Sequence, residues 1–117
     1  MLFRLDHGSA VSLATQIVDQ VRTAIIDGTL QPGERLPPAR DLATALDVNM
    51  HTVLRAYGLL RDAHLIDMRQ GRGAWVRPDV DATAARLRVA ELAEQFLAEA
   101  NKIGLSRAEI LHLIGES

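Results

Sequence analysis

Between Pro32 and Val76 the chain passes through four structural signals with almost no spacer between them. Gln31-Pro32-Gly33 marks a turn. Leu36-Pro37-Pro38 follows, and proline suits the first turn of a helix because its missing N–H would have no intrahelical partner there. A helix starting near Pro38 would carry Leu42, Ala43 and Leu46 inward, and Asp47-Val48-Asn49 would end it. Asn49 can cap the next helix, its side-chain oxygen accepting an orphan backbone N–H. That next helix should run from about Met50 to Ala63, with Val53, Ala56, Tyr57 and Leu60 as its inner stripe and Thr52 and Arg55 outside. Two short helices around a tight turn make a helix-turn-helix.

Leu65 to Arg69 and Ala74 to Val76 are too short for helices, and Gln70-Gly71-Arg72-Gly73 lies between them. Glycine tolerates positive φ, so this segment predicts a β-hairpin with a basic tip, which would serve as a wing. Upstream, Leu13, Ile17, Val21 and Ile25 recur at helical spacing, with Ser9 or Ser12 as the cap, and predict a first helix to about Asp27. Downstream of Pro78-Asp79, the positions Ala85, Val89, Leu92, Phe96 and Ala100 repeat every three or four residues, thickened by Leu87, Ala90, Ala93 and Leu97. Gly104 closes that helix. Ser106-Arg-Ala-Glu109 is a capping box opening a last short helix through Ile110, Leu111, Leu113 and Ile114. The expected fold is mainly α with a small β-hairpin: a winged helix-turn-helix over residues 1–78 and a two-helix tail over 79–117.

Composition narrows what such a fold could do. The chain has 117 residues, 48% hydrophobic and 3% aromatic, which suits aliphatic helical packing and leaves little room for a large catalytic cleft. It has no cysteine, so disulfides, thiolate metal sites and cysteine nucleophiles do not arise. His7, His51, His64 and His112 lack the paired spacing with carboxylates that a metal site uses, and no nucleophile elbow or phosphate loop is present. The expectation is no catalytic residue, no metal and no cofactor. The N-terminus lacks a signal-peptide core, and no apolar run approaches the roughly 18 residues that span a bilayer. A soluble cytoplasmic protein without a membrane partner is expected.

The formal net charge of -2 is unevenly distributed. Residues 1–78 hold nine Arg against eight acidic residues, whereas 79–117 hold four basic residues against seven acidic ones. From Arg35 to Arg77, seven Arg stand against four Asp, so a mild basic footprint coincides with the motifs.

Three separated segments, Leu30-Gln-Pro-Gly-Glu-Arg-Leu-Pro-Pro-Ala-Arg-Asp-Leu-Ala43, Val48-Asn-Met-His-Thr-Val-Leu-Arg-Ala-Tyr57 and Arg69-Gln-Gly-Arg-Gly-Ala-Trp-Val76, resemble in order and spacing the DNA-binding domain of the GntR family of bacterial transcription regulators. Val-Asn-x-x-Thr-Val-x-Arg-Ala-Tyr, followed by a short tail, is similar to the YtrA subfamily. The resemblance covers about Val11 to Val76 and implies a homodimer, most often a repressor, on double-stranded operator DNA. It also implies a helical dimerisation tail in place of a large effector domain. This chain departs from its relatives at His64, where Gly is usual, at Met50 and His51, and at Ala39.

Carried onto this sequence, the expected DNA-binding residues are Arg40, Asn49, Met50, His51, Thr52, Arg55, Arg69, Gly71, Arg72 and Gly73. Arg40 matches a family arginine that contacts DNA, its guanidinium suited to guanine or a phosphate; the alternative is a solvated pair with Asp41 or Asp47. Residues 49–52 open the helix expected in the major groove, where Asn49 either caps or contacts a base and Met50 either meets a thymine methyl or covers surface. Arg55 suits a phosphate, or else pairs with Asp62 or Asp67. The wing tip Gly71–Gly73 would enter the minor groove, with Arg72 drawn to a narrow A·T tract and Arg69 on phosphate nearby. The expected dimer interface is Ala85, Val89, Leu92, Phe96, Ile110, Leu111 and Ile114, and a small-molecule effector, if there is one, would sit in the dimer cleft. The alternative function is a winged helix used as a protein-interaction or assembly module.

Overall fold

The computed structural model describes residues 3–115. Met1, Leu2, Glu116 and Ser117, the ends of the two expected segments, lie outside the described residues. The element order among those described is α1 (Leu13–Ile26), α2 (Ala39–Leu46), α3 (Met50–Asp62), β1 (Ile66–Arg69), β2 (Gly73–Val76), α4 (Val80–Lys102) and α5 (Arg107–Leu113). They fall into two units that divide within α4, residues 3–85 and 86–115.

In the first unit each helix forms where its apolar spacing and its cap agree. Ser12 caps α1 by accepting from the Thr15 amide, while Ser9 Oγ accepts from Val11. One face of α1, with Ala14, Ile17, Val21, Ala24 and Ile25, is buried. It packs on α3, whose Val53, Ala56, Tyr57 and Leu60 are all at most 1% exposed. Helix α2 closes against α3 through Leu42 and Ala43 and ends at Asp47, which takes a left-handed φ of 55° so that the Val48 amide reaches the Ala43 carbonyl at 3.0 Å. Fully burying a side chain such as Leu60 stabilises the unit by about 1.5–3 kcal/mol.

Antiparallel strands β1 and β2 pair in the register Ile66↔Val76, Asp67↔Trp75, Met68↔Ala74 and Arg69↔Gly73. This alternation turns Ile66, Ala74 and Val76 into the core. The sequence marks Gln31-Pro32-Gly33 as a turn and gives no element to the residues before the helix expected near Pro38, but part of this segment pairs with the hairpin. Gly33 N donates to Val76 O at 2.9 Å, Val76 N to Glu34 O at 2.8 Å and Leu36 N to Ala74 O at 2.9 Å, around an antiparallel bridge between Arg35 and Trp75. Strand β2 therefore lies between β1 and this segment. Its partner is distant in sequence, which is why no local pattern announces it.

The N-terminal arm is held without a regular ladder. Gln16 Oε1 accepts from the Asp6 amide at 2.8 Å while its Nε2 donates to the Asp6 carbonyl at 2.9 Å, and Gln20 does the same for Arg4 one turn later. Two glutamines four residues apart on a helix match two residues two apart on an extended segment. His64 sits at φ 62°, a left-handed conformation that glycine adopts freely; a non-glycine residue in it costs about 1 kcal/mol or more.

The described part of the second unit holds the rest of α4 and α5. The Ser106–Glu109 capping box forms in full: Glu109 N donates to Ser106 Oγ at 3.1 Å, and Ser106 N to Glu109 Oε1 at 3.3 Å. Ala100 is the residue of this unit whose burial is nearly complete, at 4% exposed. No helix among the described residues is long and apolar enough to cross a membrane.

Candidate nucleic-acid interface

The expected contact residues come from three places in the first unit. At the start of α2, Pro38 occupies the cap position with no side-chain hydrogen bond, and Arg40 follows on the exposed side of the first turn. At the start of α3, Asn49 Oδ1 accepts from the His51 amide at 2.8 Å, so its acceptor is committed to capping and its amide NH2 remains for other contacts. Met50 and His51 are exposed in that first turn, Thr52 is half-buried and Arg55 is exposed one turn later. A capped helix N-terminus with exposed side chains carries partial positive charge, which favours phosphate.

The third place is the hairpin tip. Arg72 N donates to Arg69 O at 3.0 Å, closing a tight loop in which Gly71 has φ 79° and Gly73 has φ 91°. Both values lie where an L side chain is strained, so glycine is what lets the loop turn and present Arg72. A groove of about 370 Å³ separates the hairpin from the helices, lined among others by Pro38, Leu54, Tyr57, Met68, Arg69 and Gly71. The starts of α2, the middle of α3 and the wing thus border one concavity. Tyr57 anchors its floor: the ring is 1% exposed, and the hydroxyl donates to the Pro37 carbonyl at 2.8 Å. Burial pushes the phenol well above its usual range, so it stays protonated and keeps donating.

The alternative pairings weighed for the arginines do not form. Among the described residues Arg40, Arg55, Arg69 and Arg72 make no side-chain ion pair. Pairs do form nearby, between Arg61 and Asp62 at 3.4 Å and between Arg77 and Asp79 at 2.9 Å. The hydrogen bond from Arg77 holds the Asp79 carboxyl below the usual carboxylate range and raises Arg77 in turn, so both stay charged at neutral pH. No group of three or more His, Cys, Asp or Glu able to hold a metal ion occurs among the described residues.

Two side chains at this surface escape a reading of the sequence. Leu54 is 37% exposed between Met50 and Arg61 and lines the groove; its exposure depends on the hairpin standing off from α3. Arg35 donates from Nη1 to the Arg72 carbonyl at 2.8 Å, across 37 positions of sequence. No local signal marks it.

In the second unit the residues expected at a dimer interface lie largely open in the single chain. Val89 is 67% exposed, Leu92 57% and Ile114 58%; Ala85, on the other side of the unit division, and Leu111 are also exposed, while Phe96 and Ile110 are half-buried.

Comparison with known proteins matches residues 13–76 to the family described as "Bacterial regulatory proteins, gntR family". The chain is 29% identical over 95 residues to the HTH-type transcriptional repressor YtrA of Bacillus subtilis, covering 81% of this chain and 73% of that protein. Among solved structures, a GntR family transcriptional regulator from Listeria monocytogenes superposes with a TM-score of 0.70 at 29% identity, covering 94% of this chain and 96% of that one. YtrA from Sulfolobus acidocaldarius, a GntR-family transcription factor, superposes with a TM-score of 0.65 at 33% identity, covering 96% and 92%.

Proposed function

The chain belongs to the gntR family of bacterial regulatory proteins and is a DNA-binding transcription regulator, and from that premise we propose that it acts as a homodimeric repressor on a pseudo-palindromic operator. The winged helix, residues 1–78, reads DNA; the tail, residues 79–117, joins two copies. The first turn of α3, with Asn49, Met50, His51 and Thr52, enters the major groove, and Arg55 and Arg69 position the protein on phosphates. Arg40 contacts guanine or phosphate at the edge of the same groove, and Gly71, Arg72 and Gly73 carry the wing tip into the minor groove. Two copies would set half-sites about one helical turn apart.

The observation that carries this reading is the set of four exposed arginines, Arg40, Arg55, Arg69 and Arg72, that no acid neutralises among the described residues of a unit whose apolar core is closed. The repressor role draws on the similarity to the YtrA repressor of Bacillus subtilis. The homodimer draws on the open apolar residues Val89, Leu92 and Ile114 of the tail.

The test begins by selecting bound fragments from a random duplex library with the purified protein, which yields half-site sequence and spacing. On the selected operator, Arg40→Ala should lose about tenfold to a hundredfold in affinity by fluorescence anisotropy, as expected for one good arginine contact of about 1–3 kcal/mol. A folded Arg40→Ala variant that binds as tightly as the wild type would sink the assignment of Arg40.

A further inference from the structure

The wing tip presents Arg72 on a loop flanked by two glycines in left-handed conformations, Gly71 and Gly73. Glycine gives up more backbone freedom on ordering than any other residue, and inside the hairpin one turn hydrogen bond, from Arg72 N to Arg69 O at 3.0 Å, opposes that freedom. A partner from outside the hairpin supplies the constraint. Arg35 Nη1 donates to the Arg72 carbonyl at 2.8 Å, and a cationic donor makes this stronger than a neutral hydrogen bond of the same length. The base of Arg35 is itself fixed: its backbone bridges Trp75, and the neighbouring Glu34 and Leu36 are hydrogen-bonded to Val76 and Ala74 at 2.8 and 2.9 Å. Its guanidinium also lies over Gly73, with Nη1 3.7 Å from where a Cβ would stand.

We propose that Arg35 is the positioning residue of the wing: it holds the peptide between Arg72 and Gly73 and thereby fixes the direction in which the Arg72 side chain is offered to DNA. Arg35 acts through Arg72 and is not one of the DNA contacts. The consequence for DNA rests on the reading of the wing tip as a minor-groove element. The positioning itself does not, because it is a property of the free protein.

The experiment uses the full chain and three variants, Arg35→Met, which keeps the aliphatic stem and removes the donors, Arg35→Lys, which keeps one cationic donor, and Arg72→Ala. In the free protein, backbone order parameters of Gly71 to Gly73 should fall in Arg35→Met from about 0.85 toward 0.6 or below. The core amides of α1 and α3 should stay unchanged, and Arg35→Lys should recover part of the order. On the selected operator, Arg35→Met should lose affinity by about as much as Arg72→Ala, about tenfold, and the double variant should lose no more than Arg72→Ala alone. Unchanged order at the tip in Arg35→Met overturns the proposal. So do losses that multiply in the double variant, which would make Arg35 an independent DNA contact. Full operator affinity in Arg72→Ala would remove the wing-tip reading of DNA binding instead, while the order parameters still decide whether Arg35 holds the tip.

Discussion

The two units of this chain solve the problem of burying apolar surface in opposite ways. In residues 3–85, α1, α2, α3 and the hairpin enclose Ile17, Val21, Val53, Leu60, Ile66 and Val76 at 0% exposure. In residues 86–115, Val89, Leu92, Leu97, Ile103, Leu113 and Ile114 are each between 46% and 74% exposed. Both stretches are comparably rich in aliphatic residues, so composition does not separate them. The separation comes from topology: three helices and a sheet can close on one another, whereas α5 is only seven residues long and cannot cover a helix as long as α4. The first unit is complete in a single chain, and the second is the part for which a second copy is proposed.

Three measurements would break or sharpen that contrast. The largest effect is expected from Phe96→Asp. Losing the burial of an aromatic ring twice, once per copy, at about 1.5–3 kcal/mol each should raise the dimer dissociation constant about a hundredfold to ten-thousandfold. Light scattering should then report a monomer whose winged helix remains folded by circular dichroism. Phe96 is half-buried in its own chain, so Val89→Asp, at a 67% exposed position, provides a control free of local packing loss. Dimers surviving in both variants would remove this face as the interface.

Leu60→Ala should do the reverse. It empties a fully buried position on the inner face of α3 and should cost about 2–5 kcal/mol by urea denaturation while leaving tail association intact at protein concentrations where the first unit is folded. A cost below about 1 kcal/mol, the range of an exposed site, would mean that the first unit is not the closed core described here.

The smallest effect is a pH dependence. Tyr57 is the sole tyrosine of the chain, and burial raises its phenol pKa in the folded state. The stability linked to it is whole below the unfolded value of about 10 and is lost as pH rises above that, at up to about 1.4 kcal/mol per pH unit. Phenolate absorbance should therefore appear only together with unfolding. Ionisation of Tyr57 in the native protein near pH 10 would contradict its burial and its hydrogen bond to Pro37.

Much of the fold was legible because its signals are local. Asn49 as a cap, the stripe Val53, Ala56, Tyr57 and Leu60, and the Ser106–Glu109 box each depend on residues within a turn or two, and the structure contains all of them. The choice of cap for α1 was open between Ser9 and Ser12, and backbone geometry selected Ser12. His64 shows the limit of a local reading. The histidine itself is visible in the sequence, but the strain it carries is visible only as a φ of 62°.

By itself, the sequence determined the order of elements, the caps of α3 and α5 and the family, because helical period, turn chemistry and motif spacing act over a few neighbouring residues. Tertiary structure alone decided that residues 33–36 pair with β2 around the Arg35–Trp75 bridge, that Gln16 and Gln20 bind the N-terminal arm, and that Arg35 reaches the wing tip. It also left Arg40, Arg55, Arg69 and Arg72 without acidic partners among the described residues. Each of these joins residues distant along the chain, and such contacts exist only once the helices have packed and fixed which backbone faces which.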